Sequence, residues 1–307
     1  MRLFLIFIPI LIWADAHIFV YHRFDDNRYK STDTSSKTLI RQLNYLKTHN
    51  YKVVKLSTLV KMIKNRENID KVVALTIDDS FKSFYTNAFP LFKKYNYPFN
   101  LYVYVKATDK HYGDYMSWKE IKEISKYGEI GLHSYAHPHL TKLSNREIEY
   151  DTKKAYNIFI KKLHFKPKGY AYPYGEYNQR VKKIIESFKF DYILNQNAGA
   201  IRLNTPISDL DRIALTGDVN IAKKLKIKRL NLKNFKVVKK NNIITEIYAE
   251  TNLKRVEIYI TNYGWKYVNV KNNILDFKPN FKLKKFRNRV IIRYNNSIIS
   301  KMITKGE

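Results

Sequence analysis

Residues 72–79 read Val72-Val73-Ala74-Leu75-Thr76-Ile77-Asp78-Asp79, a short β-branched apolar run that ends in two adjacent carboxylates. A continuous run of this kind predicts a strand buried on both faces, as in a parallel sheet. The two carboxylates then emerge together at its C-terminal end. Further along, a second short run, Glu129 to Leu132, leads into His133-Ser134-Tyr135-Ala136-His137. Two carboxylates and two imidazoles suit a divalent metal of the zinc type, with one acid left over to handle a proton. An Asp-Asp pair alone reads equally well as a helix N-cap, and the histidine step is what favours the metal.

Working outward, residues 17–216 alternate short apolar runs with amphipathic helical patterns, the signature of βα units around a parallel sheet. Strands are expected at Ile18 to Tyr21, Tyr51 to Leu56, Phe99 to Val105, Gly169 to Tyr172, Phe190 to Leu194 and Arg212 to Leu215. Helices are expected over 36–48, over Phe81 to Tyr95 with a break or kink at Pro90, over Trp118 to Tyr127, and from Asn178 to Ser187. Ser144-Asn145-Arg146-Glu147 is a capping box opening a helix to about Leu163. The count predicts a distorted (β/α)7–8 barrel, whose sites form at the C-terminal strand ends. No glycine-rich phosphate loop follows any of these strands, which argues against a nucleotide fold. After about residue 220 the pattern becomes pure alternation, with Val256, Ile258 and Ile260 facing one way and Glu257, Tyr259 and Thr261 the other. A small all-β, sandwich-like domain is predicted there. Trp265 and Tyr267 share one face of a strand in it, where a core pair is expected over a glycan platform.

Composition bounds the function. Lys and Arg number 57 against 27 Asp and Glu, a formal charge of +30 spread through every predicted element. Such a field favours polyanions at long range, an anionic envelope surface among them, but forms no site. Nucleic acid is not expected as a partner, since no binding motif accompanies the charge. With no cysteine, the chain has no thiolate nucleophile, thiolate ligand or disulfide. Arg2, the apolar stretch Leu3 to Trp13 and Ala14-Asp15-Ala16 read as a signal peptide over 1–16, so that the mature chain begins at His17 in a periplasmic or extracellular place.

Thr76-Ile77-Asp78-Asp79-Ser80-Phe81, His133-Ser134-Tyr135-Ala136-His137-Pro138 and Tyr172-Pro173-Tyr174-Gly175 occur in the order found in the polysaccharide deacetylases. This is the NodB-homology group, carbohydrate esterase family four, which the chain resembles over about 17–216. The resemblance implies that Asp79, His133 and His137 hold the metal, that Asp78 is the general base, and that the Tyr174 backbone N–H faces the oxyanion. Zinc is the default metal, and a site of two histidines and a carboxylate also accepts cobalt, nickel or iron. Two departures point to one subgroup, the biofilm poly-N-acetylglucosamine deacetylases. No histidine follows His164, so the usual late acid is missing, and Val20-Tyr21-His22-Arg23-Phe24 looks like that subgroup's first strand, which makes His22 the acid. The usual arginine of the third motif aligns with Ala171, and Arg212 is taken to supply that guanidinium to Asp78. His139 is read as a loop residue and not a ligand, and Trp118, Tyr135 and Tyr177 as packing.

The expectation is therefore an exported metal-dependent hydrolase of carbon–nitrogen bonds, acting on an N-acetylhexosamine polysaccharide. Residues 17–218 would form the deacetylase barrel and 219–307 the β domain. The alternatives are a peptidoglycan or O-linked glycan deacetylase, or a catalytically silent envelope protein that binds glycan.

Overall fold

The computed structural model describes residues 15–306. All but the last two residues of the expected signal peptide therefore lie outside the described residues. The main sheet is wholly parallel, in the order Ile213–Ala214, His17–Tyr21, Val72–Ile77, Asn100–Val103, Glu129–Leu132, Gly169–Ala171, Tyr192–Leu194, with Lys52–Val53 pairing onto Val72–Ile77. The two ends of this order are brought together by an irregular segment rather than by a ninth strand. Leu210 N–H donates to Ile193 O and Asn195 N–H to Leu210 O, and three residues on Ile213 and Ala214 pair with Phe19 and Val20. The result is the distorted parallel barrel with surrounding helices that the alternation predicts.

Side chains of Val72–Ile77 alternate between two cores, as strand geometry requires. Val73, Leu75 and Ile77 join the aromatic layer under the helices, with Phe84, Phe92 and Phe99. Val72 and Ala74 instead join the cluster that contains Ile18, Tyr102, Tyr192 and Leu194. Thr76 and Asp78 share the face of Ala74, so the second aspartate of the pair turns away from the first. The strand is buried along its whole length, which explains why its sequence shows no polar alternation.

Two local readings are corrected. Only Lys52–Val53 of the expected strand Tyr51 to Leu56 is extended, and a helix that the sequence reading lacked, Leu56–Lys64, follows at once. Its apolar residues Leu56, Leu59, Val60 and Ile63 recur at helical spacing and pack into the second core at the N-terminal mouth of the barrel. Leu56 N–H donates to Asn100 Oδ1 and Ser57 N–H to Glu129 Oε2, both on residues that begin strands. The helix expected over Phe81 to Tyr95 is a π-helical turn, Phe84–Ala88, running into an α-helix, Phe89–Tyr95, with Pro90 in its first turn. Helical residues run unbroken from Lys82, so Pro90 removes one N–H from the ladder directly after the π-helical turn, which is where the expected kink falls.

The C-terminal region forms a five-stranded sheet in the order Lys228–Arg229, Ser297–Thr304, Arg287–Tyr294, Arg255–Ile260, Gly264–Asn269, and a four-stranded sheet around Ile243–Glu250. One core, with Ile244 and Ile247 from the smaller sheet and Val256, Ile258, Val290 and Ile292 from the larger, fills the space between them. Because Val256, Ile258 and Ile260 take the inward positions, Tyr259 and its neighbour Trp265, and Glu257 with its neighbour Tyr267, face outward. Trp265 and Tyr267 are 42% and 71% exposed, so the expected core pair is instead a surface pair, with Arg293 over Trp265.

This region also grips the barrel. Arg229 pairs with Asp211 at 2.8 Å, His17 Nε2 lies 2.8 Å from Ile227 O, and Met302 N–H donates to Asn197 Oδ1. Asp15 and Ala16, on the leader side of the expected cut, are part of the fold as well. Asp15 accepts from Arg202 at 2.8 Å and Ala16 exchanges backbone bonds with Ile201, contacts that a cut after Ala16 would remove. Among the described residues, no helix is long and apolar enough to cross a membrane.

Candidate metal and catalytic centre

Asp78 stands at the C-terminal end of its strand with its carboxylate inside the barrel and no solvent exposure. Arg212, equally buried, donates to both oxygens, Nη1 to Oδ1 at 2.7 Å and Nη2 to Oδ2 at 2.8 Å. The rest of the guanidinium is satisfied by Asn195 O at 2.8 Å and Thr76 Oγ1 at 3.2 Å, which fixes the fork. Gln196 Nε2 approaches Oδ2 at 3.4 Å. Burial pushes the Asp78 carboxyl up, but Arg212 and the neighbouring His133 outweigh it and hold the group below the usual carboxylate range. It is a charged base at neutral pH.

Asp79 turns the other way, from a left-handed backbone position at φ 72°, followed by Ser80 at φ 61°. Its Oδ1 lies 3.2 Å from His137 Nε2 and 3.4 Å from His133 Nε2, and the two imidazole nitrogens are 3.1 Å apart. The three donor atoms all lie within 4.8 Å of one another. His133 Nδ1 is 2.7 Å from Ala171 O, and since a carbonyl only accepts, Nδ1 carries a hydrogen and Nε2 is the atom turned to the trio, its lone pair free for a cation once the ring is neutral. Two imidazole nitrogens and a carboxylate oxygen, converging with lone pairs inward, fit a zinc-type cation in chemistry and in spacing.

The loop between the histidines is held by a residue that sequence reading missed. Asp151, buried in the helix Asn145–Leu163, accepts from Tyr135 N–H at 2.9 Å and from Ala136 N–H at 2.8 Å. Ser134 and His137 sit at φ 66° and 51°, and His137 N–H closes onto Ser134 Oγ. Asp151→Ala leaves two buried N–H groups unpaired beside a strained loop. We expect it to weaken metal binding about 10- to 100-fold with the barrel still folded, measured by competition with a chromogenic chelator.

His22 follows the first strand, with Nε2 4.0 Å from Asp78 Oδ2. Burial lowers its pKa against the pull of Asp79 and Asp78, so the resting imidazole is neutral. Tyr174 occupies the turn Pro173–Gly175 at φ 57°, and its ring stands edge-on to His137 with centroids 4.4 Å apart. Gly175, at φ 69°, has no room for a side chain, since a Cβ would lie 2.4 Å from that of Gln196. His139 stays outside the trio, stacked on the Tyr174 ring at 4.3 Å with Nδ1 2.8 Å from Glu176 Oε2. Trp118 is buried, Tyr135 half-buried, and Tyr177 gives its hydroxyl to Asp209 at 2.6 Å.

Arg212→Ala strands a buried carboxylate, and we expect a loss of about 3–5 kcal/mol in stability. Because Arg212 holds the Asp78 pKa down, its removal raises that pKa, and the acid limb of the pH–rate profile moves to higher pH. An unshifted limb in a folded variant would disconnect the two residues.

The chain is similar to known proteins in sequence and in fold. The family model described as polysaccharide deacetylase matches residues 65–193. The poly-beta-1,6-N-acetyl-D-glucosamine N-deacetylase of Staphylococcus aureus is 25% identical over 213 residues, which cover 65% of this chain and 73% of that protein. The protein of the same description from Staphylococcus epidermidis is 26% identical over 203 residues, or 62% and 69% of the two chains. Among solved structures, IcaB from Ammonifex degensii aligns with a TM-score of 0.58 and 27% identity over 67% of this chain and 93% of its own. The Streptococcus pyogenes deacetylase PplD, solved with acetate, has a TM-score of 0.64 at 22% identity, over 69% and 99% of the two chains, a likeness of fold.

Proposed function

We propose that this chain, whose residues 65–193 match the polysaccharide deacetylases, is an exported hydrolase that removes acetyl groups from the N-acetylhexosamine units of an exopolysaccharide. The observation that carries the proposal is the division of the aspartate pair. Asp78 is locked to Arg212 as a charged base, while Asp79 turns to two imidazole nitrogens next to it. The similarity to the staphylococcal poly-beta-1,6-N-acetyl-D-glucosamine N-deacetylases supports that glycan as substrate.

In this reading Asp79, His133 and His137 hold the divalent cation, taken as zinc, with cobalt, nickel or iron as substitutes. When bound, the cation supplies Lewis-acid activation of the attacking water and of the acetyl carbonyl. Asp78 accepts the proton of that water as its oxygen bonds to the carbonyl carbon. The Tyr174 N–H donates to the oxyanion that develops, in the manner of a fixed backbone dipole. The carbon–nitrogen bond breaks as the nitrogen takes a proton from His22, because an amide nitrogen leaves poorly as an anion. Acetate and a free sugar amine are the products. The proton that Asp78 takes passes to His22, neutral at rest with Nε2 4.0 Å from Asp78 Oδ2, and from there to the departing nitrogen.

The test is acetate release from poly-N-acetylglucosamine and from peptidoglycan in parallel, with chelator and metal add-back. Release from the first, lost with chelator and regained with metal, is the expected result. Release from peptidoglycan alone would move the substrate to the cell wall. No release from either glycan would leave an ester substrate or a silent binding protein.

A further inference from the structure

One wall of the site comes from the far end of the chain. Between the strands Phe281–Lys282 and Arg287–Tyr294, the turn through Phe286 is pinned by Lys305 N–H to Phe286 O at 2.8 Å and by Asn288 Nδ2 to Lys285 O at 2.7 Å. The Phe286 ring packs edge-on against His139 at 4.8 Å, and Lys142 Nζ lies 4.1 Å over its face. The Arg287 guanidinium lies 5.4 Å from the Tyr174 ring, so a single aromatic ring separates it from His137.

The acid in this cluster is spent beneath the surface. Glu176 is fully buried, with Oε2 on His139 and Oε1 3.5 Å from Arg287 Nε. Arg287 remains 47% exposed in its side chain, and beyond this ion pair and the Tyr174 ring no hydrogen bond holds its guanidinium among the described residues. With Lys142 it presents cationic donors at the surface beside the trio.

Resting on the deacetylase reading above, we propose that Arg287 forms a subsite for the sugar next to the one being deacetylated and reads that sugar's charge. A neighbour that still carries its acetamide is neutral and offers a carbonyl oxygen to the guanidinium. A neighbour already deacetylated carries an ammonium at neutral pH, which offers no acceptor and meets like charge. The enzyme therefore turns over poorly beside its own product and leaves its amines spaced along the polymer. The C-terminal β region is in this sense a specificity element of the barrel's site.

The experiment compares two β-1,6-linked N-acetylglucosamine hexamers on the full metal-loaded chain, one fully acetylated and one with a single free amine, with the position of each new amine read by mass spectrometry. We expect kcat/KM beside the amine to be about 5- to 10-fold lower than at the same unit of the acetylated hexamer, the factor for two like charges roughly 6 Å apart in a partly exposed site. Raised salt should shrink this ratio, and Arg287→Lys should keep it. Arg287→Ala should bring it near unity, and Arg287→Glu should invert it. Variants that cleave the acetylated hexamer yet keep the wild-type ratio would overturn the subsite. Absence of acetate from both hexamers with the wild-type chain would instead sink the poly-N-acetylglucosamine reading and the subsite that rests on it.

Discussion

Asp78→Asn is expected to lower acetate release about 10³-fold while the chain still binds its metal. The estimate lies within the range of about 10²–10⁴ that a positioned general base contributes. Asparagine keeps the shape of the side chain, so the strand end and the Asp79 backbone are not displaced. It loses the charge that, in the proposed mechanism, accepts the water's proton, and its amide turns a donor toward one Nη group of Arg212, which also donates. The variant is thus less stable, since a buried guanidinium loses its partner, and the assay must run well below its melting temperature. The readout that separates chemistry from folding is metal stoichiometry. A variant with full metal and wild-type activity would remove Asp78 from the reaction.

His133→Ala is expected to abolish both metal binding and activity. His133 is 1% exposed, braced through Nδ1 by Ala171 O, and within reach of both other donors, so no neighbouring side chain replaces it. In the metal-free wild type, burial lowers the His133 pKa, but Asp78 and Asp79 outweigh that and raise it overall. Protons and metal therefore compete for the same nitrogen, and metal affinity falls as pH drops through that raised pKa. Metal at about a hundredfold excess over its Kd should add roughly 3 kcal/mol to wild-type stability and nothing to the variant. Equal metal-dependent melting shifts in both proteins would show that His133 is not a ligand.

The aspartate pair and the histidine step were legible because each is local: a strand ends, and the residues that follow it share one rim. Arg212 was harder, being 134 positions from Asp78, and only an alignment of motifs suggested it. Asp151 and the Ala171 carbonyl left no such trace. An acid inside an amphipathic helix looks like any surface acid until its loop is seen folded over it, and a backbone oxygen has no letter. The helix Leu56–Lys64 was hidden because Leu56 also closes the alternating stretch from Tyr51 that reads as a strand, and its apolar face became evident only against the floor of the barrel. The outward turn of Trp265 and Tyr267 followed from register, which alternation alone does not supply.

The first strand, His17–Tyr21, lies between Val72–Ile77 and Ile213–Ala214, and its own start is tied to Ile201 and Ile227. This strand thus completes its pairing only when residues beyond 200 are available. Loop closure over such separations is slow, so the barrel is a late event in folding.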